Sequence, residues 1–174
     1  DALTSRLEAA ALDRLGARGL GMISGVTPSD ASHVLGQLES WDAAAAEKAL
    51  QLMARRRTGA GERFAQGPVA LAQAIVDQLT AQTVECLLEA AFAEDTAFAG
   101  EDPVALALHR LTAAGLSRHS GIVALSARLA VPVIGLGASA PSYYGAVGER
   151  LGCEMILPEH AGVANAIGAV AGQV

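Results

Sequence analysis

Apolar residues recur along this chain at two spacings, and the change of spacing predicts where helices give way to strands. Leu3, Leu7, Ala11 and Leu15 share one helical face, which Gly16 stops. Residues 20–24 read as a short strand. Thr27, Pro28 and Asp30 then fall at N-cap, N1 and N3 of a second helix, where the hydroxyl can accept a helix N–H while the carboxylate reaches back. Behind this cap Ala31, Val34, Leu35 and Leu38 face the core. Asp42 caps an alanine-rich helix running to about Arg57, and residues 58–66 form a charged, glycine-containing loop. Pro68 opens the longest periodic segment, with an apolar stripe of Leu71, Ile75, Leu79, Cys86, Leu87 and Ala90 as far as about Phe92. Gln73, Gln78, Gln82, Thr80 and Thr83 give its other face a polar character suited to meeting another domain.

Residues 94–101 read as a loop closed by Asp102-Pro103, a cap followed by an N1 proline. Val104, Leu108 and Leu111 continue as one helix that ends at Gly115. Residues 121–125 are a strand candidate. The strongest local signal is Val131-Pro132-Val133-Ile134-Gly135-Leu136-Gly137-Ala138-Ser139-Ala140-Pro141, a β-branched apolar run passing through two glycines into a helix that starts near Pro141. Two readings of it stay open. In one, Gly135 and Gly137 let a ligand approach the main chain, and the helix entry at Ala138 and Ser139 suits a phosphate or carboxylate. In the other, it is a tight strand-to-helix connection with no ligand. The helix runs to Leu151 and is closed by Gly152, residues 155–157 form a buried strand, and a last helix runs from Glu159 or His160 to Gly172. Gly162, Ala166, Gly168 and Ala169 of that helix are small enough to let a neighbouring backbone approach, and Asn165 is the odd polar residue among them.

Composition narrows the picture. A length of 174 residues fits a single domain over 1–174. Hydrophobic content is 52% but aromatic content only 3%, which favours close-packed helices with small residues at their contacts. The apolar runs fall far short of the roughly 18 residues of a membrane span, so no membrane partner is expected. A net charge of −6 argues against nucleic acid, and Arg55-Arg56-Arg57 sits where cations complement a helix C-terminus. Cys86 and Cys153 lie in apolar sequence with no metal-ligand partner at short spacing, so they read as reduced, buried thiols of a cytoplasmic protein, and no metal site is expected within the chain. His33 shows no partner in the sequence and reads as a surface or packed histidine; His109 and His119 read as structural. The first residue is Asp1 and no signal peptide follows it, which suggests numbering that starts inside a longer protein.

Two stretches read together resemble the hydantoinase/oxoprolinase family of the actin-like and sugar-kinase ATPase superfamily. One is Thr27-Pro28-Ser29-Asp30-Ala31-Ser32-His33-Val34-Leu35-Gly36, similar to the family's Thr-x-Thr-Asp-Ala and Val-Leu-Gly segment. The other runs from Val131 through Gly135-Leu136-Gly137-Ala138 to Pro158-Glu159-His160-Ala161-Gly162-Val163-Ala164-Asn165-Ala166-Ile167-Gly168-Ala169. The resemblance implies a helix-rich α/β fold: a ribonuclease-H-like lobe with a small, mostly parallel sheet and a long-helix insertion. It implies a part of an ATP-dependent cyclic-amide hydrolase in which Gly135, Gly137, Ala138 and Ser139 contact nucleotide, while Thr27, Asp30 and Asn165 are candidates to face the site. Gly-Leu-Gly-Ala-Ser stands where the family often has Gly-Gly-x-Gly. The Asp-x-Gly-Gly-Thr phosphate and metal loop of the first lobe does not occur in this sequence. ATP and its divalent metal would therefore be held mainly by an N-terminal lobe or second subunit, the substrate would be a small cyclic amide, and homo-oligomers are compatible with this arrangement. The residues themselves name no catalytic group.

Other classes compete. Gly135-Leu136-Gly137-Ala138-Ser139-Ala140 also fits a dinucleotide fingerprint with Glu159 as the ribose acceptor, but only fifteen residues follow Glu159, too few for the remaining strand-helix units. A non-enzymatic helical scaffold or oligomerisation module is the further alternative, because spacing identifies no nucleophile, base and orienter set.

Overall fold

The computed structural model describes residues 6–22 and 25–172, so Leu3 and the end of the 20–24 strand candidate lie outside the described residues. Over the described residues the protein is a helix-rich α/β chain, 58% helical, with a small two-stranded parallel sheet. Its contacts divide it into two compact units, Asp1–Ala74 and Ile75–Val174, and the boundary falls inside one helix, α4 (Pro68–Glu94).

The first unit holds α1 (Arg6–Ala17), α2 (Pro28–Val34), α3 (Ala43–Ala54) and the first turns of α4. Gly16 does not stop α1. The helix runs past it to Ala17, and Gly19, at φ 69°, supplies the left-handed residue beyond the end while the Leu20 N–H bonds the Leu15 carbonyl at 2.9 Å. Residues 20–22 form no strand; Leu20 and Met22 point into solvent. The tightest packing of the unit is α2 against α3, which meet as a helical hairpin. Ala31 on α2 and Ala46, Leu50 and Ala54 on α3 are buried, the alanines small enough to let the backbones approach. Asp42 caps α3 as its sequence position suggests, accepting the N–H groups of Ala44 and Ala45 at 3.0 Å each. Past the helix, Arg57 donates to the Gly61 carbonyl and closes a turn in which Arg57 bridges Arg63.

The second unit continues α4 and adds α5 (Pro103–Ala107), α6 (Arg110–Leu116), β1 (Val133–Ile134), α7 (Ala140–Leu151), β2 (Met155–Ile156) and α8 (Ala164–Ala171). Its core is Val84, Leu88, Ala107, Val147 and Leu151, with Leu87, Phe92, Leu116, Tyr143, Tyr144 and Met155 packed against it. Full burial of side chains such as Leu151 is worth about 1.5–3 kcal/mol each. β1 and β2 pair in parallel with Val133 opposite Met155 and Ile134 opposite Ile156, joined through α7. Gly152, at φ 60°, ends α7, and the Cys153 N–H returns to the Gly148 carbonyl at 3.1 Å.

Packing in this unit departs from the sequence pattern at several places. The buried residues of α4 are Leu71, Ala72, Val76, Thr80, Val84 and Leu88; of the expected stripe Leu71 is buried, Ile75, Leu79 and Leu87 are half-buried, and Cys86 and Ala90 are exposed. Thr80 can be buried because its hydroxyl donates to the Val76 carbonyl at 2.8 Å, which removes the cost of an unpaired polar group. Cys86 is therefore not a buried thiol, and Cys153 is only half-buried. The single helix expected from Val104 to Gly115 is two, broken where the His109 Nδ1 accepts the Leu111 N–H at 3.2 Å and so caps α6. Residues 121–125 form no strand: Ser120 and Ala124 make an isolated bridge, and Ile122 stands in solvent. The last helix begins as a 3-10 turn, Ala161–Val163, before α8.

Candidate functional site

Two places hold the residues singled out by sequence, one in each unit. In the second unit, β1 leaves the sheet through the glycine turn. The Gly135 N–H donates to the Ile156 carbonyl at 2.9 Å and the Gly137 N–H to the Ala161 carbonyl at 2.8 Å, so the turn is fastened to β2 and to the 3-10 turn before α8. The two glycines serve different ends. Gly135 is buried, and a Cβ placed on it would lie 2.6 Å from Leu157 Cδ2 and 2.7 Å from Tyr144 Cδ2. Its missing side chain is what lets Leu157 and Tyr144 close over the backbone. Gly137 has a φ of 115° and open space around it, so there the requirement is conformational.

The entry of α7 is less free than a bare helix N-terminus. The Ala140 N–H bonds the Gly137 carbonyl, the Ser142 N–H bonds the Ser139 carbonyl, each at 3.1 Å, and Pro141 has no N–H. The unspent donors sit one step earlier. Among the described residues the N–H groups of Ala138 and Ser139 and the Ser139 hydroxyl have no partner, and both residues are exposed. Gly162 abuts this turn, its Cβ position lying 3.9 Å from the Ala138 Cα. Asn165 follows in the first turn of α8, exposed. Beside the turn, Tyr143 and Tyr144 stack at a 4.8 Å centroid distance. Burial, with the Tyr143 hydrogen bond and charge second, pushes the Tyr144 hydroxyl above its ordinary range.

In the first unit, Thr27 and Asp30 form the reciprocal cap that their spacing suggests. The Asp30 carboxylate accepts the Thr27 N–H and hydroxyl, both at 2.7 Å, and the Asp30 N–H donates to Thr27 Oγ1 at 3.4 Å. These two residues are among those that line a trough of about 1120 Å³ along α2 and α3. His33, buried, also lines it: Nδ1 lies 2.6 Å from the Ser29 carbonyl and Nε2 accepts the Trp41 N–H at 2.9 Å. The carbonyl requires a proton on Nδ1 and the N–H requires a lone pair on Nε2, which assigns one neutral tautomer. His33 is thus the packed histidine, with both ring nitrogens spent on positioning, and it is unavailable as a base. Leu52 and Met53 on α3 and Trp41, which is 77% exposed, also line the trough without a spacing signal of their own, and Arg56, whose position suggested only a cation at a helix terminus, joins them. The available signal was the lone tryptophan directly ahead of the Asp42 cap.

No group of three or more His, Cys, Asp or Glu side chains that could hold a metal occurs among the described residues. No described helix is long and apolar enough to cross a membrane. The structure brings Thr27 together with Asp30, and Gly137, Ala138 and Ser139 together with Gly162; these are separate groups in separate units. No protein-family model, curated protein or solved structure matches the chain.

Proposed function

We propose that the chain forms one wall of the nucleotide cleft of an ATP-dependent, ring-opening cyclic-amide hydrolase of the hydantoinase/oxoprolinase type, as the C-terminal, ribonuclease-H-like lobe of a cytoplasmic protein. The observation that carries the reading is the trio of unpartnered donors at Ala138 and Ser139, presented on an exposed turn between a parallel strand and a helix. Free backbone N–H groups on consecutive residues at a helix entry suit the oxygens of a phosphate or ribose. Gly137 permits the turn, whereas Gly135 acts as packing beneath it. The metal, the triphosphate loop and the ring-opening groups belong to a first lobe on the same or another polypeptide, and the chain by itself turns over nothing.

Calorimetric titration of the chain with ATP, ADP and NAD tests this. The adenosine phosphates should bind and NAD should not, Gly137→Val should abolish binding, and a phosphate-release assay on the chain alone should stay at background. Binding unaltered by Gly137→Val removes the turn from the site. A second reading, a non-enzymatic helical scaffold, is favoured by the closure of Leu157 and Tyr144 over Gly135. It predicts that none of the three nucleotides binds.

A further inference from the structure

In a chain of net charge −6, three of the 12 lysines and arginines line one small cavity of the second unit. Arg118 follows α6, Arg150 lies in the last turn of α7, and Arg128 belongs to the segment between the two helices. Backbone hydrogen bonds hold these three stretches together. The Gly115 carbonyl accepts the N–H groups of Arg118 and Ala127, at 3.0 and 2.9 Å, and the Leu129 N–H bonds the Leu151 carbonyl at 2.8 Å. Gly152 leaves room for Arg128, whose Cβ lies 3.2 Å from where a Cβ on the glycine would be. Among the described residues Arg118 is also the one non-glycine with a positive φ, 51°, at the position past a helix end that glycine usually fills. An arginine there costs conformational energy that a glycine would not. Helix C-termini attract cations, at about half a charge each, which accounts for part of Arg118 and Arg150. With Glu149, the carboxylate on the same cavity, the two termini offset about two of the three positive charges. Yet among the described residues none of the three guanidiniums makes a hydrogen bond or an ion pair, not even with Glu149.

We propose that Arg118, Arg128 and Arg150 close on a phosphate group, either free phosphate or the end of a small phosphomonoester. The cavity holds about 210 Å³. That is less than the roughly 300–1,000 Å³ of pockets that enclose a whole drug-sized ligand, so an anionic group fits it and a complete cofactor does not. Guanidinium forks match carboxylate and phosphate oxygens alike, but a carboxylate offers two oxygens where a phosphomonoester offers three, one for each arginine. Arg118, Glu149 and Gly152 also border a more open hollow of about 600 Å³ that reaches Gly145, Cys153 and Met155, where the organic part of an ester would lie. The cavity is at the C-terminal end of α7 and the glycine turn at its N-terminal end, so the inference does not rest on the nucleotide reading.

Calorimetric titration of the whole chain with inorganic phosphate and with glycerol phosphate, in chloride at fixed ionic strength, tests this. At least one should bind saturably with a Kd of about 1 mM or below. Tighter binding of the ester assigns a phosphomonoester, and tighter binding of inorganic phosphate assigns the free anion. Arg128→Ala should raise that Kd by about tenfold or more, the loss of a charge-assisted hydrogen bond. Arg118→Gly should weaken binding to the same degree while its urea midpoint holds or rises, because glycine suits the left-handed position. A lower midpoint would give Arg118 to the helix terminus and overturn its part in the site. Gly137→Val should bind phosphate as the parent does; a loss there would move the anion to the glycine turn and overturn the proposal. So would the lack of saturable binding by either ligand, or binding that either arginine substitution leaves unchanged.

Discussion

Replacing Gly135 with alanine separates its packing role from a ligand-facing one. The backbone at Gly135 accepts a side chain, since its φ is not in the left-handed region. The new methyl would lie 2.6 Å from Leu157 Cδ2 and 2.7 Å from Tyr144 Cδ2, distances that force both side chains to move. Overpacking of this kind costs about 1–3 kcal/mol. Alanine in place of glycine recovers about 0.4–1 kcal/mol by restricting the unfolded chain. At mid-range the net destabilisation is about 1.3 kcal/mol, close to a tenfold change in the folding equilibrium. Both tyrosines, Tyr143 and Tyr144, lie in the second unit and the only tryptophan in the first, so near-ultraviolet dichroism of tyrosine during urea unfolding follows the unit concerned. Hydrogen exchange at the Gly135 amide, which bonds Ile156, should accelerate in parallel. Leu157 is partly exposed and can be cut back, so Leu157→Ala should relieve part of the loss, leaving the contact with Tyr144. A Gly135→Ala chain with unchanged urea midpoint and amide protection would refute the packing argument and return Gly135 to the ligand-facing role.

The remaining expectations concern the hairpin and the thiols. His33→Ala removes the part-buried hydrogen bonds to the Trp41 N–H and the Ser29 carbonyl and should cost about 0.5–1.5 kcal/mol for each, read as a lower urea midpoint in Trp41 emission; an unchanged midpoint would mean water replaces the ring. Thr27→Ala removes the cap hydroxyl and should cost about 1 kcal/mol by the same readout, with Thr27→Ser restoring it. Cys86 should react with a thiol reagent well before Cys153, because it is exposed while Cys153 is half-buried, and mass spectrometry of the labelled peptides decides the order. Burial raises the Cys153 pKa, so the folded chain keeps a proton that the unfolded chain loses. Its contribution is intact below the ordinary thiol range and is lost as pH rises through the folded value; a Cys153→Ala chain should lose less stability than the parent over that alkaline window.

Local chemistry was legible in the sequence where a few adjacent residues decide the outcome. The Thr27, Asp42 and Asp102 caps and the Gly152 terminus are of this kind, since each is settled by partners within a few positions. What sequence could not supply was which face gets buried. On α4, apolar residues occur nearly all round, so periodicity fitted more than one stripe, and packing selected the one through Thr80, whose hydroxyl bonds its own helix. The helix expected across Leu108 and His109 broke because the imidazole could cap a new one. Residues 121–125 looked like a strand by composition, but no described strand pairs with them beyond one bridge. At the glycine turn, spacing alone could not tell that Gly135 makes room for Leu157 and Tyr144 rather than for a guest.

The hydrogen bond from Trp41 to His33 closes a loop of only eight positions, whereas the β1–β2 pairing must bring together residues 133 and 155 across a whole helix. Short closures form sooner than long parallel ones, because less chain entropy is lost before contacts reward it. As the polypeptide leaves the ribosome, the α2–α3 elbow can therefore set while the sheet strands are still untranslated, and a substitution at His33 should be felt in the yield of nascent chain as well as in the finished protein.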